Sequence, residues 1–588
     1  MGCTCSPMET GLSLAFCLAQ TELKRVCAGW IANKHKAKNS VRSNISLVLR
    51  MPALKLLLAL LLICFEATAK DLQECEDLGL GSHICREIES LQQLNGYVQD
   101  DWRSVKVVNE HTGIEGDDPR ALPALCLSRL LHLDLSESGG LTLGERGLRD
   151  LRQLERLNLT RCQLEELKEE HFPKNSSLRN LDVSFNDIRL ITGKLMNRLP
   201  NLVYANFSNN LIAEVEPNAF RGLKELQFLD LTTNEQVNVT LGENANLRYL
   251  SIGNNNVRDF LWRRLRGLPN LEELHLDSNW LENLDMGLFL ALPRLRLLNV
   301  SNNNLCEIKG SLFTGPSGRA PLVLLDYSSN NVRVLEDSVF AKLGNLRTLN
   351  LWLNQISKTH PRAFQGLSAL ESLQLQGNKI SALPDEVFSN LTALQRLDLS
   401  RNSIRQLGAR VFGGSLLGRL THLDLSRNSI VELHPLSLSA LPHLRELRLS
   451  GNKLTALDVR MFAPLRRLQV LAIGENRLEQ IEEDMLETFE HLSRLDINNN
   501  RLSFLPPLQT AQYLLRLRHI SIEGNPWQCL CLDEITAWLD KRQVSYARPS
   551  SAYYSGRKPL CVVTPVEQCL RDLKAVRAHG VIESYEQI

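Results

Sequence analysis

Apolar residues recur along most of the chain in the spacing L-x-x-L-x-L-x-x-N-x-L. The clearest copies are Leu271-Leu274-Leu276-Asn279-Leu281, Leu370-Leu373-Leu375-Asn378-Ile380 and Leu444-Leu447-Leu449-Asn452-Leu454. Two leucines separated by one residue point the same way from an extended strand, because successive side chains alternate between its faces. Each copy therefore predicts a short strand with one buried face, and a turn at the asparagine that follows it.

The position of this asparagine marks seventeen copies, and most of the intervals between them are 24 residues. The marker residues are Ser138, Cys162, Asn186, Asn210, Asn234, Asn255, Asn279, Asn303, Asn330, Asn354, Asn378, Asn402, Asn428, Asn452, Asn476, Asn500 and Asn525. An inward-turned amide at this position can satisfy backbone groups that the turning chain leaves unpaired. The pattern resembles the leucine-rich repeat, in which stacked units share one continuous core.

That resemblance implies an α/β-type solenoid, a curved horseshoe with a parallel sheet on its concave face and irregular or short helical segments on its convex side. The second half of many repeats reads F-x-x-L, with Phe220, Phe340, Phe364 and Phe388 as examples. Strands stack about 4.8 Å apart, whereas these bulky segments need more room. We therefore expect the stack to curve with its strands inside.

Three intervals between markers depart most from 24 residues. The interval from Asn234 to Asn255 is 21 residues, that from Asn303 to Asn330 is 27, and that from Asn402 to Asn428 is 26. The extra residues of the longest interval lie near 315–318, where the chain reads Gly-Pro-Ser-Gly. Surface loops accept insertions readily, so we interpret this segment as a convex bulge, with a functional loop as the alternative.

The chain ahead of the repeats contains the features of a secretory signal peptide. Met51 and Lys55 precede an apolar run over residues 56–65, and Ala67-Thr68-Ala69 follows it. These features predict a signal peptide over 51–69 that is cleaved after Ala69, with residues 1–50 as a non-native extension. Two alternatives stay open: a myristoylation motif at residues 1–6 and a signal anchor at 56–65, although a bilayer span needs about 20 residues.

The expected division of the chain follows from these features. It comprises a non-native extension at 1–50, a signal peptide at 51–69, an N-terminal cap at 70–127, leucine-rich repeats at 128–524, a C-terminal cysteine cap at 525–569 and a polar tail at 570–588. No apolar stretch after residue 69 approaches membrane length. The sequence therefore predicts a protein secreted into the extracellular space, with no stable membrane insertion of the mature chain.

The C-terminal end reads Asn525-Pro-Trp-Gln-Cys529-Leu-Cys531, followed by Cys561 and Cys569. It resembles the cysteine cap of extracellular leucine-rich-repeat proteins, the group that includes Toll ectodomains, slit and the small proteoglycans. The resemblance implies that Cys529 pairs with Cys561 and that Cys531 pairs with Cys569. A zinc site made from the same four thiols is the alternative, which an oxidising compartment disfavours.

The other cysteines fit the family pattern less closely. The usual four-cysteine N-terminal cap is not reproduced, and we predict that Cys75 pairs with Cys85. The pairing of Cys126 is left open. Cys162 and Cys306 are expected to be buried free thiols.

Charge and motifs exclude several classes of function. The chain has 67 Lys and Arg residues against 66 Asp and Glu, a formal net charge of +1, which indicates neither a nucleic acid partner nor an anionic membrane. It contains no phosphate-binding loop, nucleophile elbow or H-E-x-x-H motif. The sequence therefore predicts a non-enzymatic protein that needs no metal and no cofactor.

The residue before the central strand leucine forms a column on the predicted concave face. In six successive repeats it is Tyr204, Phe228, Tyr249, Glu273, Leu297 and Leu324. Large apolar side chains aligned on an exposed sheet indicate a partner-binding patch, although scattered exposed apolar residues are also normal. We expect the five apolar members to contact a ligand.

Six N-x-S/T sequons of the predicted mature chain support secretion, and they begin at Asn158, Asn175, Asn206, Asn238, Asn299 and Asn390. Three of them, Asn158, Asn206 and Asn299, lie in the column next to the apolar patch. A glycan on Asn206 or Asn299 would crowd that patch.

These features favour a secreted protein that binds a protein or another macromolecule through its concave face, in recognition, signalling or adhesion, as in innate immunity or cell adhesion. One alternative is a non-catalytic regulatory, carrier or inhibitor subunit of an extracellular enzyme. Another is a receptor ectodomain whose membrane anchor is missing from the sequence. The ligand and the oligomeric state stay open, because a fold alone supplies neither.

Overall fold

The computed structural model describes residues 75–86, 94, 97, 99, 101–108, 129–139, 141, 143, 148–235, 241–258, 265–284, 286–413, 417–508, 513–547 and 561–586. All of them belong to one compact unit, Cys75–Ile588. The predicted extension, the predicted signal peptide, Cys126 and Asn238 lie outside the described residues.

One sheet of 20 strands carries the fold. Its first strands are β1 (Cys75–Gly79), β2 (Ser82–Arg86) and β3 (Ser104–Val108). β1 pairs antiparallel with β2, and β2 pairs parallel with β3, so the N-terminal cap extends the sheet beyond the repeats.

The other strands of this sheet are three residues long, and each is parallel to its neighbours. They are β4 (His132–Asp134), β5 (Arg156–Asn158), β6 (Asn180–Asp182), β8 (Tyr204–Asn206), β10 (Phe228–Asp230), β11 (Tyr249–Ser251), β12 (Glu273–His275), β13 (Leu297–Asn299), β14 (Leu324–Asp326), β16 (Thr348–Asn350), β18 (Ser372–Gln374), β19 (Arg396–Asp398), β21 (His422–Asp424), β23 (Glu446–Arg448), β24 (Val470–Ala472), β25 (Arg494–Asp496) and β26 (His519–Ser521). Each ends four residues before a marker position, so strands and repeats correspond one to one.

Every three-residue strand buries its central side chain and leaves the residue before it at least partly exposed, as in β10 and β18. The alternation follows from the period of two along a strand. It sends the paired leucines of each repeat, such as Leu373 and Leu375, into the core, where both are fully buried. The side chains before and after the central residue stand on the concave surface.

The marker asparagines form a ladder of buried amides along the core. At Asn378, Nδ2 donates to the carbonyl oxygens of Leu351 (2.9 Å) and Leu375 (3.0 Å), and Oδ1 accepts from the Ile356 N–H (3.0 Å). Cys162 keeps part of this pattern, because its Sγ donates to the Leu135 carbonyl oxygen at 3.1 Å. Each amide thus joins adjacent repeats where the backbone leaves the strand.

The convex side contains the aromatic segments and short secondary structure. Ring centroids of Phe340, Phe364 and Phe388 follow one another at 6.3 and 5.7 Å, wider than the strand spacing of about 4.8 Å. The convex strands are β7 (Leu190–Ile191), β9 (Glu214–Val215), β15 (Val334–Leu335), β17 (Lys358–Thr359), β20 (Gln406–Leu407) and β22 (Glu432–Leu433). The helices are α1 (Gly193–Met196), α2 (Leu288–Ala291) and α3 (Glu483–Glu487), with 3₁₀ turns at Glu169–His171, Gly310–Phe313 and Val459–Met461.

The C-terminal cap covers the last repeat with a helix and two disulfides. Helix α4 (Cys529–Lys541) carries Cys529 and Cys531, which are bonded to Cys561 and Cys569 as the family resemblance implies. A bridge between His519 and Ser545 extends the sheet edge past β26. At the other end of the sheet, Cys75 is bonded to Cys85.

Residues 570–588, which the sequence predicts as a polar tail, contain two short helices within the described part. Helices α5 (Leu573–Ala578) and α6 (Val581–Glu586) bury four apolar side chains, those of Val576, Val581, Ile582 and Tyr585. The segment is mostly polar, as expected, but these four apolar side chains are buried. Among the described residues, no helix is long and apolar enough to cross a membrane.

The two cysteines outside the caps differ in exposure. Cys162 is buried, as expected for a marker position, but the expectation for Cys306 is wrong, because its side chain is exposed. Cys306 follows the buried Leu305, and Cys306 and Glu307 both face solvent before Ile308 returns to the core. Burial raises the pKa of the Cys162 thiol to about 12, so this thiol stays protonated at neutral pH.

We expect iodoacetamide to alkylate Cys306 in the native protein and Cys162 only after unfolding. The thiolate is the reactive form, and Cys162 offers neither thiolate nor access at neutral pH. Peptide mapping by mass spectrometry with and without guanidinium chloride measures both sites in one sample. Equal labelling of the two residues under native conditions would contradict the burial of Cys162.

Candidate ligand-binding surface

The apolar residues singled out from the sequence lie side by side on neighbouring strands. Phe228 is in register with Tyr204 on one side and with Tyr249 on the other, and Leu297 is in register with Leu324. Glu273 lies between Tyr249 and Leu297. We call this line the concave row: Tyr204, Phe228, Tyr249, Glu273, Leu297 and Leu324. The five apolar side chains are half-buried, because each packs against its neighbours and still reaches the surface.

Three aromatic rings of the concave row are stacked. The rings of Tyr204 and Phe228 are 4.4 Å apart and inclined by 11°, and those of Phe228 and Tyr249 are 4.3 Å apart and inclined by 9°. The stacking follows from the parallel register, since strands about 4.8 Å apart set equivalent side chains face to face. The rings therefore hold one another in place before any ligand arrives, and binding loses less side-chain entropy.

His275 extends the stack, although it is not among the residues predicted from the sequence to contact a ligand. Its ring centroid lies 5.1 Å from that of Tyr249 with an inclination of 39°, and Nε2 lies 3.8 Å from Glu273 Oε2. His275 belongs to the adjoining column, two residues after Glu273. Because residues two apart on a strand share a face, this spacing is the signal that could have revealed it.

Carboxylates border the aromatic stack. Burial, with Asp182 and Asp230 nearby, raises the pKa of Tyr204. Burial likewise raises the pKa of Tyr249 to about 12. Both phenols are therefore protonated at physiological pH and can donate a hydrogen bond. Burial also raises the pKa of Asp277, whose Oδ1 accepts a hydrogen bond from Asn299 Nδ2 at 2.9 Å.

The predicted glycosylation sites fall into different environments. Asn206 Nδ2 donates to Asp182 Oδ2 at 3.0 Å, so Asn206 and Asn299 both use their amides to bridge to aspartates of the preceding repeat. Asn158 Oδ1 accepts from the Thr160 N–H at 3.0 Å. Asn175 and Asn390 are exposed. Glycans on Asn175 and Asn390 remain predictions that leave the concave row uncovered.

A second concave area, nearer the C-terminal end, is polar. A shallow cavity of about 280 Å³ there is lined by residues that include Arg396, Asp424, Glu446 and Arg448. Glu446 pairs with Arg448, and its Oε2 lies 3.6 Å from His422 Nε2, so much of the charge is compensated internally. In the part of the chain that the structure describes, no group of three or more His, Cys, Asp or Glu residues is placed to hold a metal ion. In contrast to this polar area, the concave row offers a ligand aromatic stacking, apolar contact and hydrogen bonds.

Comparison with known proteins gives one family and several partial relatives. The family described as leucine rich repeat matches residues 176–235, 269–317, 321–380, 369–417, 395–454, 418–472 and 466–526, together more than half of the chain. Toll-like receptor 3 of Bos taurus is 28% identical over 212 residues, which cover 35% of this chain and 22% of that protein. Human vasorin is 37% identical over 113 residues, which cover 19% of this chain and 16% of vasorin.

The chain therefore matches about a fifth of the length of these curated relatives. A leucine-rich-repeat protein of Leptospira interrogans has a similar fold, with a TM-score of 0.55, 24% identity and coverage of 74% of this chain and 100% of the bacterial one. The repeats, the parallel sheet and the family match agree: the chain belongs to the leucine-rich-repeat family.

Proposed function

We propose that this protein is a secreted, non-catalytic recognition protein that binds a protein ligand through the concave row. The observation that carries the proposal is the stack of Tyr204, Phe228 and Tyr249 on the open face of the sheet. Half-exposed rings held in a fixed arrangement are typical of the central anchors of protein interfaces.

The concave row presents apolar area that a ligand would bury. An aromatic side chain buries about 150–250 Å² when covered, and buried apolar area contributes about 25 cal/mol per Å². Part of each ring is already covered by its neighbour, so the gain per ring is smaller than this limit. Leu297 and Leu324 extend the apolar surface across the next strands.

The charge around the row favours a protein over a nucleic acid. Asp182, Asp230 and Asp277 lie beside the stack. Nucleic acid binding depends on cationic side chains that neutralise phosphates, and carboxylates at this position would repel them. The phenol groups of Tyr204 and Tyr249 can instead donate hydrogen bonds to backbone carbonyls of a protein ligand.

Extracellular location is supported by the disulfides. Three disulfides lie at the ends of the repeats. The N-terminal end contains Cys75–Cys85, and the C-terminal end contains Cys529–Cys561 and Cys531–Cys569. Disulfides of this structural kind form in oxidising compartments and are rare in the cytosol. Together with the predicted signal peptide at 51–69, they support secretion.

The test is a binding screen. This protein is biotinylated, assembled into tetramers on streptavidin and tested against a panel of purified secreted proteins and cell-surface ectodomains. We expect Phe228→Asp and Tyr249→Asp each to weaken every specific hit by about 30-fold or more, the equivalent of a hot spot of about 2 kcal/mol. A carboxylate there loses the apolar contact and is desolvated without a partner. Both side chains lie outside the leucine core, so each variant should still fold, and thermal unfolding measures the stability lost with the stacking contacts.

The matched control is Val470→Asp, which makes the same kind of change in the same column near the C-terminal end. The residues in register with Val470 are Glu446 on β23, which is already paired with Arg448, and Arg494 on β25, so the new carboxylate has one cationic neighbour in its own column. Hits that survive Phe228→Asp and Tyr249→Asp but disappear with Val470→Asp would move the interface away from the concave row. Binding of every folded variant at the wild-type level would refute a concave site.

A further inference from the structure

The 27-residue interval between Asn303 and Asn330 contains a tight turn at residues 315–318, on one flank of the solenoid. The Gly318 N–H donates to the Gly315 carbonyl oxygen at 2.9 Å, and Gly318 has a φ of 80°, which favours glycine. A Cβ on Gly315 would collide with the Arg319 carbonyl oxygen. Lys342 Nζ fixes the turn to the next repeat by donating to Thr314 Oγ1 at 2.6 Å. The insertion is therefore an ordered structure that sets the position of Arg319.

An open cleft lies beside this turn. It consists of two adjoining cavities of about 560 and 650 Å³, and both are lined by Pro293, Pro321 and Asn345. Arg294 and Arg296 line the first cavity, and Arg319 lines the second. We call it the flank cleft, formed by Pro293, Arg294, Arg296, Arg319, Pro321 and Asn345. All of these residues lie within five residues of the start of β13, β14 or β16, so the cleft follows the amino-terminal edge of the sheet.

Glycines keep the floor of the flank cleft open. Gly344 and Gly366 line its second cavity. Arg319 Nη1 lies 3.6 Å from the position that a Cβ of Gly344 would occupy, so the guanidinium extends over this glycine. A larger side chain at residue 344 would compete with the guanidinium for that space.

The flank cleft has a local excess of positive charge. Arg294, Arg296 and Arg319 are exposed, and none has a carboxylate within 4 Å among the described residues. Glu272 and Arg347 also line the first cavity, and both are paired: Glu272 with Arg248 at 3.3 Å, and Arg347 with Glu371. Three unpaired guanidinium groups thus line one cleft of a chain whose formal net charge is only +1.

We propose that the flank cleft binds a sulfated polysaccharide, with Arg294, Arg296 and Arg319 contacting its sulfate groups. Guanidinium groups present several N–H donors in a fixed plane and bind tetrahedral oxyanions through charge-assisted hydrogen bonds. An elongated open cleft suits a linear polymer better than a compact ligand. Sulfated polysaccharides are extracellular, where the disulfides of this chain are stable.

The composition of the cleft favours a polysaccharide over a single-stranded nucleic acid. Proteins that hold single-stranded nucleic acid combine a basic groove with aromatic side chains that stack on the bases. The residues lining the flank cleft include proline, alanine, glycine and arginine, and none is aromatic. The site is also distinct from the concave row, so it adds a second ligand to the proposed function.

The experiment measures binding of the secreted protein to immobilised heparin by surface plasmon resonance at several salt concentrations. Hydrogen bonds to charged groups are strong enough that each of Arg294→Glu and Arg319→Glu should weaken binding by about tenfold. We expect a shallower salt dependence as well, because the variant makes fewer ionic contacts and binding therefore releases fewer counterions. The neutral change Arg319→Gln should act in the same direction with a smaller effect.

The matched control is Arg467→Glu. Arg467 precedes β24 by the same three residues by which Arg294 precedes β13, it is exposed, and it lies outside the flank cleft. We expect this variant to bind heparin within twofold of wild type, roughly the effect of one distant surface charge. Circular dichroism establishes that each variant is folded.

Two further probes test the chemistry of the ligand. Chemically desulfated heparin and double-stranded RNA should both fail to bind. Equal binding of desulfated heparin, or heparin binding that all Arg variants retain, would overturn the proposal. RNA binding that Arg319→Glu weakens as much as heparin binding would replace it with a general polyanion site.

Discussion

Replacing Asn330 by alanine should lower the free energy of unfolding by about 3 kcal/mol, measured by urea denaturation. Asn330 Nδ2 donates to the Val300 carbonyl oxygen at 2.9 Å, and Oδ1 accepts from the Leu305 N–H at 3.0 Å. The residue is only 3% exposed, so water cannot replace the amide. Each buried group left without a partner costs about 1–3 kcal/mol, and this change leaves several in the middle of the ladder.

The neighbouring residue supplies the control. Asn331 is exposed, so Asn331→Ala makes the identical chemical change without touching the ladder. A surface change of this kind should stay within about 0.5 kcal/mol of wild type. Equal stability of Asn330→Ala and Asn331→Ala would contradict a stabilising role of the amide ladder.

The repeat architecture could be predicted because its causes are local. The pair Leu373 and Leu375 reveals a strand through the period of two, and Asn378 marks the turn that follows it. Seventeen copies in one register then leave a single way to stack them, since each unit can close its core only against its neighbours. The parallel pairing of β18 with β19 follows from this repetition alone.

The candidate site could be predicted only in part. Column positions place Tyr204, Phe228 and Tyr249 together, because equal spacing in each repeat gives equal register across strands. The inclination of the rings and the contact of His275 depend on side-chain torsions and on neighbours from other repeats. The two-residue spacing places His275 on the same face as the row, but it does not show which ring His275 contacts or at what inclination.

Features outside the repeat were the least predictable. Residue type alone predicts a buried thiol at Cys306. Its side chain is exposed because the side chain of the preceding residue, Leu305, occupies the core position. The flank cleft depends on how the turn at 315–318 packs against Lys342 of the next repeat. The sequence shows the extra residues but not the contacts that order them.

Replacing Cys531 by serine should uncap the last repeats and lower the free energy of unfolding by about 2–5 kcal/mol, the usual cost of losing a native disulfide. Cys531 is buried against the cluster that contains Phe504, Val576 and Val581, and its bond to Cys569 closes a loop of 38 residues. Without that bond, the segment carrying α5 and α6 keeps polar contacts such as Gln528 Nε2 to the Leu570 carbonyl oxygen at 2.8 Å. These contacts limit the loss but do not restrict the unfolded chain as the disulfide does.

Two variants separate the loss of the disulfide from side effects. Cys531→Ser/Cys569→Ser removes both thiols, so a cost that persists cannot come from mispairing of a free Cys569. Cys306→Ser removes an exposed free thiol and should leave stability unchanged. Thermal unfolding and the yield of protein in the culture medium measure the effect, since an open solenoid end exposes core leucines and reduces folding during secretion. A double variant as stable as Cys306→Ser would show that the repeats hold their C-terminal end closed without this bond.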